Sequence, residues 1–167
     1  RKPFVLTVHD LTAENYPQYF SQFDCQKVGR KHLVPLANHI IVPSLNTKID
    51  VMQKWNISEE QITVIYWGGV PVNNKEYPDR IGRPYILYVG LREGYKNFRF
   101  FLKAALSFLQ RNKDINIVCT GSNFTNSEMR LFRELHIEDR MQAMFVSTEE
   151  LCGLYSNCLL YTSPSPR

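Results

Sequence analysis

Short apolar runs alternate with helix-periodic segments along this chain, and the alternation constrains its fold more than any other feature. Phe4–Val8, His39–Val42, Ile62–Tyr66, Tyr85–Val89 and Ile115–Cys119 are runs rich in β-branched and aromatic residues, and Met144–Val146 is a shorter one. Such runs suit strands buried on both faces. Leu33–Asn38 reads as the end of a helix. Ser44 or Asn46 can cap a helix in which Ile49, Met52 and Trp55 share the buried face. Ser58-Glu-Glu-Gln61 fits a capping box on a single turn. Between about Asn97 and Gln110, Phe98, Phe101, Leu102, Ala105, Leu106 and Leu109 recur at helical spacing and predict one buried stripe. A helix is expected over about Ser127–Leu135, and Ser147 with Glu150 predicts a capped start of another. Alternating elements imply parallel α/β units covered on both faces. Pro71–Arg83 is polar and proline-containing, and reads as a linker between two such units.

The 167 residues suffice for one ordinary domain or two small ones, and 44% hydrophobic content is ample for packed cores. No apolar run reaches the length of a membrane span, and the first residues do not form a signal peptide. The net charge of +4 suits a phosphate-bearing ligand or an anionic membrane surface, but is too weak and scattered to indicate nucleic acid. Cys25, Cys119, Cys152 and Cys158 show no CxxC spacing, so they are expected to be reduced and structural, which favours the cytoplasm. His9, His32, His39 and His136 are scattered and form no zinc motif, so no metal is expected. The P-loop, the GxGxxG fingerprint and the GxSxG elbow are all missing from the sequence.

Ligands of open parallel sheets sit beyond the carboxyl ends of strands. Gly90, Gly121 and the Gly68-Gly69 pair each follow a strand run. After Gly90 come Arg92 and Lys96, then the helix near Asn97. Glycine admits close backbone approach, a helix start offers free N–H groups, and the two cations can hold phosphate oxygens. The competing reading makes Arg92 and Lys96 ordinary solvated loop cations. His9-Asp10, after the first strand, can contact a substrate hydroxyl, or can be a satisfied turn with Asp10 as a cap. Glu149 and Glu150 read as first-turn helix residues rather than catalytic acids.

Taken in order, several segments resemble the retaining GT-B glycosyltransferases that use nucleotide sugars. They are Thr7–Leu11 with Glu14 and Tyr16-Pro17; Ala37–Ser44 with Thr47–Asp50; Ile62–Val70; Ile86–Arg92 through Lys96-Asn97; and Phe145–Ser147 with Leu151 and Leu154–Asn157. The resemblance covers most of residues 4–157. It implies an α/β fold of GT-B type, built from parts of two Rossmann-like parallel-sheet domains. Residues 1–70 would be the second half of the N-terminal, acceptor-side domain, 71–83 the interdomain linker and 84–157 the first half of the nucleotide-sugar-binding domain. The implied activity is transfer of a hexose, leaning towards mannose, from a GDP- or UDP-sugar to a glycan or lipid-linked acceptor with retention. By the same resemblance, Gly90, Arg92 and Lys96 hold the donor diphosphate, Gly121 and Val146 line the base and ribose pocket, and His9 is the catalytic residue touching the transferred sugar. No cofactor or metal is implied. The location implied is cytoplasmic, with peripheral contact at the inner face of the membrane.

Two departures matter. The family's acidic E-x7-E motif is due soon after Asn157, but the sequence continues Cys158-Leu-Leu-Tyr-Thr-Ser-Pro-Ser-Pro-Arg167. Those ten residues resemble a translated sequencing adapter; the alternative is a native Ser-Pro tail. The glycine-rich loop of the N-terminal domain is also missing, so the chain is expected to be a truncated internal fragment, inactive by itself, with incomplete sheets and low stability. Two further readings stay open: a nucleotide-binding module without transfer activity, and a GT-B-like nucleotide-sugar epimerase. Gly153 stands at a helix position where a larger residue is more usual.

Overall fold

A computed structural model describes residues 2–68 and 77–162. They form two compact units, divided between residues 68 and 77. Part of the Pro71–Arg83 linker, residues 71–76, and Gly69 lie outside the described residues.

The first unit contains β1 (Val5–Thr7), α1 (Thr12–Asn15), α2 (Cys25–Leu33), β2 (His39–Val42), α3 (Leu45–Trp55) and β3 (Ile62–Val64). Its strands run parallel in the order β1-β2-β3, with Leu6 opposite Ile40 and Ile40 opposite Ile62. Val8, Leu11, Val34, Ile40, Val42, Val51 and Ile62 form its core. Ser44, not Asn46, caps α3 by accepting the Thr47 N–H at 3.1 Å. Ile49 is exposed, against expectation. Met52 and Trp55 pack against the core as expected, and Thr47 and Val51 are the buried residues of the helix. Ser58 makes no capping bond, because the turn after it is a single 3-10 turn over Glu59–Gln61, and Glu59 pairs with Lys48 at 2.9 Å. The strand expected to reach Tyr66 stops at Val64. Its partner β2 ends before Pro43, and the Ile65 N–H still reaches the Val42 carbonyl. One ion pair is deeply placed: Arg30 donates to both oxygens of Glu14, at 2.8 and 2.9 Å, and ties α2 to α1.

The second unit contains β4 (Tyr85–Tyr88), α4 (Phe98–Arg111), β5 (Asn116–Thr120), α5 (Asn126–Glu134), β6 (Met141–Met144), α6 (Thr148–Asn157) and β7 (Leu160–Thr162). All four strands are parallel, ordered β6-β5-β4-β7. Successive strand residues face opposite layers. Ile86, Tyr88, Ile117 and Cys119 therefore pack against Phe98, Leu102 and Leu109 of α4 and Phe132 of α5, whereas Tyr85, Leu87 and Val118 pack against Leu154 of α6. The two buried tyrosine hydroxyls donate to carbonyls, Tyr85 to Leu154 at 2.8 Å and Tyr88 to Leu91 at 3.1 Å. The predicted α4 stripe is the observed one: Phe98, Leu102 and Leu109 are buried, with Phe101, Ala105 and Leu106 packed beside them.

Three features differ from the sequence expectation. The strand placed at Met144–Val146 lies three residues earlier, because β5 offers partners only as far as Thr120, which pairs with Met144; Phe145 is then 93% exposed. Residues from Cys158, expected to stand outside the native fold, supply β7. Leu160-Tyr-Thr162 takes the free edge of β4, with Val89 N–H donating to the Thr162 carbonyl. Apolar and aromatic residues suit that edge, whatever their origin. The third difference concerns the cysteines, which are spread over both units. All four are free thiols, but Cys25 and Cys152 are exposed rather than structural. Cys119 is buried, which pushes its thiol up to about 12, so it is inert at neutral pH.

Gly153 now has a reason. A Cβ there would stand 3.3 Å from the Cβ of Tyr77, and Asn157 donates to the Tyr77 carbonyl at 3.1 Å, so residue 77 lies directly on α6. Gly153→Leu is expected to destabilise the unit by about 2 kcal/mol through overpacking, measured by urea unfolding, although leucine favours helices. An unchanged midpoint would show that Tyr77 moves aside freely. Among the described residues, no helix is long and apolar enough to cross a membrane.

Candidate functional site at the carboxyl ends of β4 and β5

β4 and β5 are adjacent and parallel, so their carboxyl ends open to the same side. Each is followed by a glycine with positive φ, +135° at Gly90 and +114° at Gly121. Side-chain-bearing residues rarely adopt that conformation, so the sequence places glycine where the chain turns sharply out of each strand. Between the two turns lies a cleft of about 580 Å³. Gly90–Glu93 form one wall, and Thr120–Ser122 with Thr125 and Glu128 form the other.

Arg92 crosses this cleft. Its Nε donates to Glu128 Oε1 at 2.6 Å, and its Nη2 donates to the carbonyls of Ser122 and Asn123 at 2.8 and 3.0 Å. The guanidinium also lies 5.0 Å from the centre of the Phe124 ring. These partners leave the Arg92 side chain only 6% exposed. Nη1 has no hydrogen-bond partner in the described contacts, and it is the atom nearest, at 4.0 Å, to where a Cβ on Gly121 would stand. Gly121 therefore leaves room beside the one uncommitted edge of the guanidinium.

Glu128 holds Arg92 and caps α5 at once. Its Oε2 accepts from the Thr125 N–H at 2.7 Å and from the Thr125 hydroxyl at 2.9 Å, while Oε1 takes Arg92. The Thr125 hydroxyl returns the cap to the Glu128 N–H. Burial pushes the Glu128 carboxyl up. The hydrogen bonds from Arg92 and Thr125, with the charge of Arg92, outweigh it and hold the carboxyl below its ordinary range. The sequence alone marks neither Thr125 nor Glu128 as part of a site, although the spacing Thr125-x-x-Glu128 is a legible capping box.

Of the other residues expected here, Lys96 ends a 3-10 turn at Gly94–Lys96 and sets its ammonium over the Tyr95 ring, 5.3 Å from the centroid. Val146 packs beside the Tyr85, Leu87 and Val118 layer. The cleft lining includes Gly90, Arg92 and Gly121, but neither Lys96 nor Val146. In the first unit, His9 is exposed beyond β1, with its ring edge-on to Trp67 at 5.2 Å. Asp10 accepts the Thr12 N–H at 2.8 Å and so closes a turn ahead of α1, whose N-cap is Leu11 without a side-chain bond. Glu150 closes the capping box of α6 and pairs with Arg80. Among the described residues, no three His, Cys, Asp or Glu side chains gather into a set of metal ligands.

No family model matches the sequence, and no curated protein matches it. Solved structures do match the fold. WaaG, a glycosyltransferase involved in lipopolysaccharide biosynthesis, superposes with a TM-score of 0.66 at 14% identity, over 95% of this chain and 50% of that one. A glycosyltransferase from Rickettsia africae gives 0.60 at 18% identity, over 85% and 42%. The pneumococcal O-GlcNAc transferase GtfA, in complex with UDP and GlcNAc, gives 0.60 at 14% identity, over 95% and 32%. The chain spans half or less of each of these structures. Identities this low speak to fold alone, and on that basis the chain has an α/β fold of GT-B type, with two Rossmann-like units built on parallel sheets.

Proposed function

We propose that this chain is part of a nucleotide-sugar-dependent glycosyltransferase, and that the cleft beyond β4 and β5 takes the donor diphosphate. The observation that carries the reading is Arg92: a guanidinium fixed between two positive-φ glycines, with its Nη1 edge uncommitted beside Gly121. A cation fixed in place before reaction stabilises charge that develops on a leaving diphosphate without reorganising. Lys96 adds positive charge to the same donor group once its side chain leaves the Tyr95 ring. Gly121 and Val146 line the base and ribose pocket, and His9 touches the transferred sugar. The donor is a GDP- or UDP-sugar, the sugar a hexose with mannose favoured, and transfer retains configuration onto a glycan or lipid-linked acceptor. The reaction needs no metal, and it takes place in the cytoplasm against the inner membrane face. Residues 1–70 and 84–157 belong to the acceptor-side and donor-side domains, 71–83 to their linker, and 158–167 to a segment not native to the donor-side domain.

Calorimetric titration of the chain with UDP and GDP tests this. The diphosphates are expected to bind, and uridine and guanosine at the same concentrations are not. Equal binding of nucleosides, or no binding of either diphosphate, would reject the cleft as a diphosphate site. A second reading, nucleotide binding without transfer, uses the same cleft. Turnover of bound nucleotide sugar by the full-length protein separates the two.

A further inference from the structure

Arg92 alone does not determine which of its N–H groups meets a ligand; its partners do. A guanidinium carries five N–H groups on three nitrogens. Here Nε is taken by Glu128 and Nη2 by two main-chain carbonyls, so one nitrogen, Nη1, is left towards the cleft. Glu128 can do this because each of its oxygens has a separate task. Oε1 faces Arg92, and Oε2 receives both Thr125 donors, which fixes the carboxylate to the first turn of α5. The pair is sheltered, with 6% of the Arg92 and 13% of the Glu128 side chain exposed.

We infer that Glu128 is a positioning residue for the donor site: it anchors Arg92 through Nε so that the Nη1 edge alone is presented, beside Gly121, to an oxyanion of a nucleoside diphosphate. The inference rests on the function proposed above and adds to it. Glu128 does not touch the ligand; it acts through Arg92. The two tasks need two acceptor oxygens and a negative charge, and glutamine has one acceptor oxygen and no charge, so Glu128→Gln loses the charge-assisted hold on Arg92 Nε.

The same unit contains a matched control. Glu150 is also a capping-box glutamate paired with an arginine, Arg80, in a different place. Glu128→Gln is expected to weaken UDP binding about tenfold, the order for losing one charge-assisted contact. Glu150→Gln is expected to stay within about twofold of wild type, because the cap and the Arg80 pair lost there do not line the cleft. Side-chain 15N spectra of the arginines give a readout that a merely structural role would not move. On adding UDP, the Arg92 Nη1 signal should shift while Nε stays at its carboxylate-bound position. Unchanged or tighter binding in Glu128→Gln, a loss matched by Glu150→Gln, or release of Nε when UDP binds would each overturn the positioning role. If wild type binds neither UDP nor GDP, the diphosphate site itself is rejected, and the role of Glu128 falls with it. If wild type binds and only the Glu128 comparison fails, the site stands without this role.

Discussion

Replacing Arg92 with alanine is expected to lower stability by about 3 kcal/mol and, in the same protein, to weaken nucleoside diphosphate binding by about 1–3 kcal/mol. The first effect comes from Glu128. Its side chain is 13% exposed, and removing the guanidinium leaves a sheltered carboxylate with only the Thr125 donors. Breaking one side of such a pair costs more than the pair itself contributes. The second effect is the loss of the cation offered to the ligand. The pH dependence has a definite sign. Glu128 titrates below its ordinary range in the folded protein, so its contribution is present above the unfolded carboxylate value, about 4.3, and is lost as pH falls through the lowered folded value. The stability gap between wild type and Arg92→Ala should therefore be widest near neutrality and narrow below about pH 4. Urea unfolding across pH measures the gap. A gap that is constant with pH would mean that Glu128 is not the group left unpaired.

Phe98→Ala should be similarly damaging, at about 3–5 kcal/mol. Phe98 is 2% exposed and is the first residue of α4. Its ring meets Tyr88 edge-on at 4.8 Å and Phe132 edge-on at 6.3 Å, so one side chain joins β4, α4 and α5. The cavity would loosen Tyr88, whose hydroxyl donates to the Leu91 and Lys96 carbonyls of the cleft loop. Diphosphate affinity should therefore fall together with the unfolding midpoint. Phe100, two residues on, is 66% exposed, and its replacement by alanine should change stability by less than about 0.5 kcal/mol. Equal effects at the two positions would contradict the orientation assigned to α4.

Much of the fold was legible because each element carries its own local signal. Tyr85–Tyr88 is a continuous apolar run, α4 repeats its apolar residues at helical spacing, and Ser147 with Glu150 announces α6. The misplaced elements depended on partners distant in sequence. β6 is set by where β5 ends, and the exposure of Ile49 by how α3 settles on its sheet. β7 exists because β4 has an edge to offer, which nothing in Leu160–Thr162 alone specifies. The position of the cleft was legible to the same degree. Gly90, Arg92 and Gly121 follow strand runs, and strand ends converge in a parallel sheet. Glu128 lies 36 residues from Arg92, and its spacing announces a helix cap but says nothing of the arginine it holds. The position of Lys96 over Tyr95 likewise depends on a side-chain torsion that spacing does not encode.

Backbone amide spectra of the 15N-labelled chain titrated with UDP and GDP locate a bound nucleoside diphosphate directly. The shifts are expected to concentrate at Gly90, Arg92, Gly121 and Ser122, with core residues of the first unit such as Val51 unmoved. Saturable shifts centred elsewhere, or none at Gly90 and Gly121, would contradict the assignment of this cleft to the donor diphosphate.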